Sequence, residues 1–438
     1  MEKNLRRRIL VITYYWPPSG GVGVQRWLKF VKYLRLYGWE PVVYRPENPE
    51  SFYDDESLLN DIPEGVEVIK TRIWEPYKIY KRITGTKNEK IAVGFTSSSN
   101  KKKGLLHRVA VWLRGNLLIP DPRVFWVNPS VKFLKKYLRE NPVDVVVTTG
   151  PPHSIHLIGL KLKQKMKVKW LADFRDPWTN IDYIKDLRLS APAMRIHRRL
   201  ESKVVKEANR VVVVSEQMKR EFQQLAAKRI DVITNGFDED DTPTKLIPLD
   251  EKFSITHVGT LTPSRNTPML WQSLADLCVE IDGFRNDLII RLVGQVDVSI
   301  IESIRSVGLD GNLESLGQVT HDEAMMFQKK SQVLLLVVNN SPNATGIITG
   351  KVFEYFASGR MVLAVGPTYG DLASLLSETK AGFFVDYNDK AKTKRVITHL
   401  YNLYKENNLR PETKDILRYS RKELTRTLSN LLNEMTNE

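Results

Sequence analysis

The sequence contains a single cysteine, Cys278, which excludes an internal disulfide and favours a reducing compartment. No apolar run approaches the roughly 20 residues that a membrane-spanning helix requires. The stretch from Arg6 to Trp16 superficially resembles a signal peptide. Its apolar part is short, however, and it ends in a proline pair without a small-residue cleavage site. We therefore interpret this stretch as the first strand of the fold.

Several motifs of known chemistry are also absent. The sequence has no zinc-ligand spacing, no Gly-x-Ser-x-Gly elbow, no Walker loop and no recognisable nucleic-acid module. The hydrophobic content of 42% and the aromatic content of 9% are those of an ordinary soluble globular protein. Since 438 residues exceed the size at which one core keeps growing, two domains are expected.

The net positive charge of the chain comes from its first half. Residues 1–240 carry 44 Lys and Arg against 27 Asp and Glu, whereas residues 241–438 carry 22 against 24. The first half is therefore expected to meet something acidic: an anionic bilayer, a phosphate-bearing acceptor or nucleic acid. The sequence contains no recognisable nucleic-acid-binding module, so we expect no nucleic-acid partner.

The chain opens with a Rossmann-type pattern. Residues 9–13 read as a buried strand, residues 16–24 as a glycine-rich loop and residues 25–34 as a helix. Such a loop lies at the carboxyl edge of a parallel sheet, where ligands bind. Its sequence Gly-Gly-Val-Gly is not the dinucleotide fingerprint, which disfavours NAD. A plain tight turn is the alternative interpretation.

Two later strands place polar residues at the same sheet edge. His153 and Ser154 follow the strand at 143–149, and Asp173, Arg175 and Asp176 follow the next one. This convergence suits an acceptor or catalytic site. The alternatives are a helix-start role for His153 and an Arg–Asp brace in the second group.

Residues 105–118 have apolar side chains at helical spacing with basic residues between them. Such a segment suits a membrane surface, and a core helix of the first domain is the alternative. Basic residues nearby favour lipid, since each contributes about 1 kcal/mol at an anionic leaflet. These are Lys101–Lys103, Lys132, Lys135, Lys136 and Arg139.

The second half carries a phosphate-binding pattern. Residues 343–350 form a small-residue loop with Gly346 and Gly350, and a helical run begins at Lys351. Free N–H groups and the positive end of a helix dipole bind phosphate. Glu354, one turn into the helix, is placed to hold two neighbouring hydroxyls of a ribose. A salt bridge is the alternative for Glu354.

These motifs resemble the GT-B glycosyltransferases of family four. Residues 343–366 resemble the family's donor motif, in which two Glu residues are separated by seven others, and Glu354 matches the second Glu. The first Glu position is Gly346 here. The loop from Gly259 to Arg265 resembles a family loop with two basic residues, of which Arg265 matches one and Thr260 stands at the other.

The resemblance implies specific roles. Asp173 acts at the transferred sugar, and Arg265, Gly350 and Lys351 stabilise the departing diphosphate. The implied donor-binding set is Gly20, Gly21, Gly23, Gly259, Thr260, Arg265, Thr349, Gly350, Lys351 and Glu354. The implied acceptor-binding set is His153, Ser154, Arg175 and Asp176. No metal and no cofactor is implied, because the nucleotide-sugar is itself the donor substrate.

The predicted fold is an α/β protein of GT-B architecture, with two Rossmann-like domains whose mostly parallel sheets face a central cleft. The acceptor domain covers 1–237, the nucleotide-sugar domain 238–414, and a helix at about 415–438 packs back on the first. The expected activity is retaining sugar transfer to a lipid-linked or cell-surface glycan precursor. We expect a cytoplasmic protein, peripheral on the inner face of the membrane.

Two alternatives remain open at this point. The losses at Gly346 and Thr260 fit a catalytically inactive relative that serves as a binding or scaffold subunit. A GT-B sugar-nucleotide epimerase is the other.

Overall fold

The computed structural model describes residues 6–51, 53–75, 105–225, 229–241 and 247–437. The chain divides into two compact α/β units. The first comprises Met1–Thr234 together with Arg421–Glu438, and the second comprises Asn235–Ser420. In the described residues each unit contains one parallel sheet, of seven strands in the first and six in the second.

The first sheet has the strand order β3-β2-β1-β4-β5-β6-β7. Its central strands are buried on both faces, which explains why they read as continuous apolar runs rather than as alternating ones. The strands are β1 Arg7–Ile12, β2 Trp39–Pro46, β3 Glu67–Thr71, β4 Val145–Gly150, β5 Trp170–Phe174, β6 Arg210–Val213 and β7 Ile230–Val232.

Seven α-helices of the described residues belong to the first unit. They are α1 Val22–Leu34, α2 Leu105–Leu117, α3 Val124–Glu140, α4 Ser154–Met166, α5 Ala191–Glu207, α6 Glu216–Gln224 and the C-terminal helix Arg421–Asn437. Apolar side chains of the C-terminal helix, including Leu428 and Leu432, lie in the same core cluster as Trp27 and Val31 of α1. The end of the chain is thus part of the first unit's core.

The second sheet has the order β10-β9-β8-β11-β12-β13. Its strands are β8 Phe253–Val258, β9 Leu288–Val293, β10 Leu313–Gly317, β11 Val333–Val337, β12 Met361–Val365 and β13 Gly382–Val385. Its helices are α7 Pro268–Glu280, α8 Phe284–Asp287, α9 Val298–Ser306, α10 His321–Lys330, α11 Lys351–Ser358, α12 Asp371–Thr379 and α13 Lys390–Lys405, so that the C-terminal helix is α14.

The 3₁₀ segments are Arg35–Tyr37, Glu56–Asp61, Asp182–Leu187, Glu239–Asp241, Pro263–Arg265, Asp310–Asn312, Ala344–Gly346 and Ile416–Tyr419.

The C-terminal helix begins later than the predicted bound of about 415: it starts at Arg421, and Asp415 has a φ of +50°. Strand β3, which the sequence analysis did not predict, pairs with β2 in parallel. Among the residues described, none of the helices is both long enough and apolar enough to cross a bilayer.

Candidate donor and acceptor sites

Arg265 is fixed beside the carboxyl ends of the second sheet's strands. The 3₁₀ turn Pro263–Arg265 follows β8, and the Arg265 Nε donates to Asn339 Oδ1 at 2.5 Å. Its Nη1 donates to the carbonyl oxygen of Thr260 at 3.1 Å. Asn339 follows β11, so two strand ends hold one guanidinium in a defined orientation.

Lys351, the first residue of α11, lies against the loop after β8. Gly259 has a φ of +115°, and a Cβ there would overlap Lys351 Nζ and Cε. Glycine therefore serves both the backbone conformation and the close approach of the ammonium group. Burial, followed by the charge of Arg265, lowers the pKa of Lys351 from 10.5 to about 8, against the opposing effect of Glu354. Two cations are thus held together at this sheet edge.

The N-terminus of α11 lies at the same place. Gly350 is its N-cap residue without a side-chain cap, and the Lys351 N–H donates to Thr349 Oγ1 at 3.2 Å. Glu354 lies in the first turn. The structure therefore brings together Gly259, Thr260, Arg265, Thr349, Gly350, Lys351 and Glu354 within the second unit.

Gln328 holds Glu354 and was not found by sequence analysis. The Gln328 Nε2 donates to Glu354 Oε2 at 3.2 Å, and the Gln328 side chain is buried. Gln328 lies near the end of α10, 26 residues before Glu354. No motif signals this contact, because it depends on how α10 packs against α11.

The two departures from the family pattern have structural consequences. Thr260 offers its backbone carbonyl to Arg265, so this position orients the remaining guanidinium instead of adding a second one. Gly346 ends the 3₁₀ turn Ala344–Gly346, and its N–H donates to Asn343 O at 3.0 Å.

The glycine loop of the first unit leads into α1. Gly21 is the N-cap residue, with a φ of +104°, and α1 has neither a side-chain cap nor an acidic residue in its first turn. A Cβ on Gly20 would meet the ring of Tyr53, and a Cβ on Gly23 would lie 2.6 Å from Arg175 Nη1. The loop glycines thus allow two side chains to approach the start of the helix.

Asp173 is the centre of a buried hydrogen-bond network. Its Oδ1 accepts from Arg26 Nη2 at 2.8 Å, and its Oδ2 accepts from Trp27 Nε1 at 2.7 Å and from Thr149 Oγ1 at 2.8 Å. The side chains of Arg26 and Asp173 are 0% and 1% exposed. Arg26 also donates to the carbonyl oxygens of Ile233 and Thr234, each at 2.8 Å. This network joins α1, β4, β5 and the chain after β7.

The contacts of Asp173 hold α1, β4 and β5 together, which is a structural role. Its predicted action at the transferred sugar stays a prediction. Arg26 and Trp27 were not predicted as site residues. Arg26 lies 147 residues from Asp173, and only the packing of α1 on the sheet brings them together.

The four predicted acceptor residues follow β4 and β5 but face different surroundings. Ser154 starts α4, and its N–H and Oγ donate to the carboxylate of Asp121 at 2.9 and 2.8 Å. His153 is the N-cap residue of α4 and is buried, and its ring stacks on Trp178 at 4.9 Å. Arg175 is half-buried and donates to the Pro151 carbonyl oxygen, whereas Asp176 is exposed.

The fold of the two units is similar to that of GT-B glycosyltransferases of known structure. Sucrose-phosphate synthase from Thermosynechococcus elongatus aligns with a TM-score of 0.63 at 14% identity, covering 99% of this chain and 100% of that one. TarM aligns with a TM-score of 0.61 at 12% identity, covering 99% and 100%. WaaG, a glycosyltransferase involved in lipopolysaccharide biosynthesis, aligns with 0.51 at 14% identity, covering 98% of each chain. At these identities the likeness shows the fold alone.

A family match makes the class more specific. The family described as Glycosyltransferase Family 4 matches residues 92–241. The sequence has no match among curated proteins. The family match and the fold support a family 4 glycosyltransferase of GT-B architecture, which confirms the resemblance seen in the sequence.

Proposed function

We propose that this glycosyltransferase moves a sugar, with retention of configuration, from a nucleotide-diphosphate sugar to a lipid-linked or cell-surface glycan precursor. The observation that carries the proposal is the cluster of Arg265, Lys351 and Glu354 around the N-terminus of α11. Two cations and a helix N-terminus suit a diphosphate, and a carboxylate one turn away suits the ribose beside it.

The cations would act on the leaving group. When the bond between the sugar and the diphosphate breaks, negative charge develops on the diphosphate oxygens. Arg265 is held in place by Asn339 and Thr260 before any substrate arrives, so little reorganisation is needed at that moment. Preorganised charge of this kind is usually the largest single catalytic contribution. Lys351, with its pKa near 8, is mostly protonated at neutral pH and supplies the second charge.

Glu354 would hold the donor rather than react with it. A carboxylate accepts hydrogen bonds from two neighbouring hydroxyls, and the amide of Gln328 keeps that carboxylate from rotating. In the first unit, the carboxylate of Asp173 fixes the ends of β4 and β5, from which His153 and Arg175 extend. We assign Asp173 a positioning role on these contacts. We expect no metal requirement.

A membrane surface is the proposed partner of the first unit. On α2, Val109, Trp112, Leu113 and Leu117 are between 41% and 66% exposed, and their spacing puts them on one face of the helix. The opposite face packs through Gly115 against Leu187 and Leu189. This apolar stripe, together with exposed Lys132, Lys136 and Arg139 on α3, supports binding to an anionic leaflet. Lys101–Lys103 lie outside the described residues.

The membrane proposal is tested by vesicle sedimentation. We expect binding to phosphatidylglycerol vesicles that weakens with salt, and a loss of at least tenfold for Leu117→Ser. Leu36→Ser, an equally exposed position in the first unit, is the matched control. Equal binding of both variants, or equal binding to neutral vesicles, would reject the proposal.

The donor site is tested first by thermal stabilisation with a panel of nucleoside diphosphates and nucleotide-sugars. Ligand binding to the native state raises its stability with the logarithm of ligand concentration. We expect one nucleotide to stabilise the wild type but neither Glu354→Ala nor Arg265→Ala. If no nucleotide stabilises the protein at millimolar concentration, the inactive-scaffold alternative replaces the proposal. Release of nucleotide without any acceptor would instead favour the epimerase alternative.

A further inference from the structure

Helix α5 carries a row of basic side chains on its exposed side. Its 17 residues include five Lys or Arg, all of them exposed, and four of these follow one another at intervals of four, four and three residues. At 3.6 residues per turn this spacing places the four within about 80° of one another around the helix axis, along about 16 Å of its length. These four residues form the α5 basic row: Arg195, Arg199, Lys203 and Lys206.

The α5 basic row has no acidic partner in the described part of the chain. Of the two glutamates of α5, Glu201 is buried, and its carboxylate accepts hydrogen bonds from the N–H and the hydroxyl of Thr179 at 3.1 and 2.5 Å. Glu207 is the last residue of the helix and makes no ion pair with the row. The four cations are therefore exposed together without a counter-charge on the protein.

The basic helix α13 of the second unit is arranged differently. Lys390 pairs with Asp276 at 2.6 Å, and Lys405 pairs with Asp287 at 3.2 Å. Lysines of α13 are thus neutralised by carboxylates of the same unit. On α5 the cations are collected on one side of a helix without carboxylates, which suits an acidic surface outside the protein.

The neighbour of α5 indicates the kind of acidic surface. Helix α2, which carries the exposed apolar stripe, packs at the start of α5, where the N–H of the N-cap residue Ser190 donates to Asn116 Oδ1 of α2 at 2.7 Å. Ile196, beside the basic row, is itself 47% exposed. A soluble polyanion has no contact to offer apolar side chains, whereas a bilayer accepts apolar side chains at the acyl boundary and cations at its headgroups.

We propose that the α5 basic row binds the phosphate headgroups of an anionic bilayer, beside the apolar stripe of α2. This inference rests on the membrane partner proposed above, and it adds a second helix to the surface that meets the membrane. The apolar stripe of α2 supplies the part of the binding that salt leaves unchanged. The α5 basic row supplies a part that salt weakens, because exposed charges are screened.

The experiment measures sedimentation of the full chain with vesicles of phosphatidylglycerol and phosphatidylcholine in equal parts. The α5 variant replaces three cations of the row: Arg195→Gln, Arg199→Gln and Lys203→Gln. The control variant removes the same charge from α13: Lys390→Gln, Lys394→Gln and Lys405→Gln. We expect the α5 variant to bind about 100-fold more weakly than the wild type, and the control variant to bind almost as the wild type does. Unchanged binding of the α5 variant, or an equal loss in both variants, would overturn the inference.

A fluorescent label tests the contact of α5 with lipid directly. In a Cys278→Ser background, a nitrobenzoxadiazole group is attached at Ile196→Cys on α5 or at Val279→Cys, an exposed position on α7. We expect the emission of the label at position 196 to shift to the blue when the vesicles are added, and the label at position 279 to be unchanged. No shift at position 196, or equal shifts at both positions, would contradict contact through α5.

Two further outcomes separate this inference from its alternatives. Inorganic polyphosphate is titrated into the wild type and the α5 variant, and loss of polyphosphate binding with retained vesicle binding would assign the row to a soluble polyanion instead. Vesicle binding that is lost in Leu117→Ser but kept in the α5 variant would reject the role of α5 alone. If the wild type does not sediment with these vesicles, the proposed membrane partner is wrong, and this inference with it.

Discussion

The charged residues that follow the strands behave differently in the two units. In the second unit, Arg265 and Lys351 are two like charges held close together, and the charge of Arg265 makes protonation of Lys351 less favourable. In the first unit, Arg26 and Asp173 neutralise each other and are almost fully buried. A pair of opposite charges stabilises the fold, whereas two like charges held together at a helix N-terminus are typical of a site that binds an anion.

The largest effect is expected from breaking the buried ion pair of Arg26 and Asp173, which should reduce folding stability. Asp173→Ala leaves the Arg26 guanidinium buried without its counter-charge and should lower the free energy of unfolding by about 3–5 kcal/mol. Urea unfolding followed by tryptophan fluorescence measures this change. Asp176→Ala, in the exposed position three residues later, should change it by less than about 0.5 kcal/mol. Equal stability of the two variants would show that Asp173 is not a brace.

Removing one of the like charges should instead spare stability and reduce activity. Arg265→Gln removes a preorganised donor to the leaving diphosphate, and kcat/KM should fall by about 10²–10³-fold. Initial rates at several donor concentrations give this ratio. Arg305→Gln, an exposed arginine of the same unit, is the control and should leave the rate unchanged. A loss of less than about threefold for Arg265→Gln would contradict the proposed site.

Substitution of the Glu354 carboxylate is expected to have a smaller effect, on nucleotide affinity. Hydrogen bonds to a charged group contribute about 1.5–3 kcal/mol, so Glu354→Gln should weaken nucleoside diphosphate binding by about 10–100-fold. Calorimetry with the 2′,3′-dideoxy nucleotide provides the internal control, because the loss should disappear when the hydroxyls are absent. Gln328→Leu should show part of the same loss through the freed carboxylate. A loss that persists with the dideoxy nucleotide would exclude ribose recognition by Glu354.

The smallest effect is a dependence on pH. The pKa of Lys351 is lowered to about 8, so the amine loses its proton as the pH rises through 8. Diphosphate affinity should therefore be constant below pH 7 and fall above pH 8, by at most tenfold per pH unit. In the absence of ligand, folding stability has the opposite pH dependence. Between pH 8 and 10.5 the Lys351 amine is protonated in the unfolded chain but largely deprotonated in the folded protein, so the free energy of unfolding increases as the pH rises.

Affinities measured at pH 7, 8 and 9 test this pH dependence. Lys351→Gln should bind weakly and equally at all three values. An unchanged slope in that variant would assign the titration to another group.

The strands of the second sheet could be predicted closely from the sequence. Residues 253–258, 313–317 and 361–365 show strand patterns in the sequence, and these segments coincide with β8, β10 and β12. The apolar β8 and β12 are bounded by charge or glycine, which leaves little freedom in their limits. The edge strand β3 was missed because its side chains are half-exposed and show no apolar run. Helix α3 was missed as well, and it contains Pro129 in its interior.

The proximity of Gly259, Arg265 and Lys351 could be predicted because each of these residues lies in or beside a loop that carries its own signature. Gly259 and Arg265 follow β8, and Gly350 lies in the loop after β11. Because β8 and β11 are parallel neighbours in the sheet, these loops meet at the same sheet edge, which the sequence pattern indicates. The contacts of Gln328 and Arg26 could not be predicted in this way. Both act across long separations in the chain, through helix packing that leaves no local pattern.

The place of α14 has a consequence for how the protein is made. Arg7 donates to Asn433 and Thr436, and the Lys169 Nζ donates to two carbonyl oxygens of the same helix, so the first unit needs the last residues of the chain. The second unit is therefore an insertion within the first, and the first unit cannot complete its core until the whole of the second has been synthesised. A premature stop before Arg421 would leave the second unit's sheet whole and would expose the apolar face of α1.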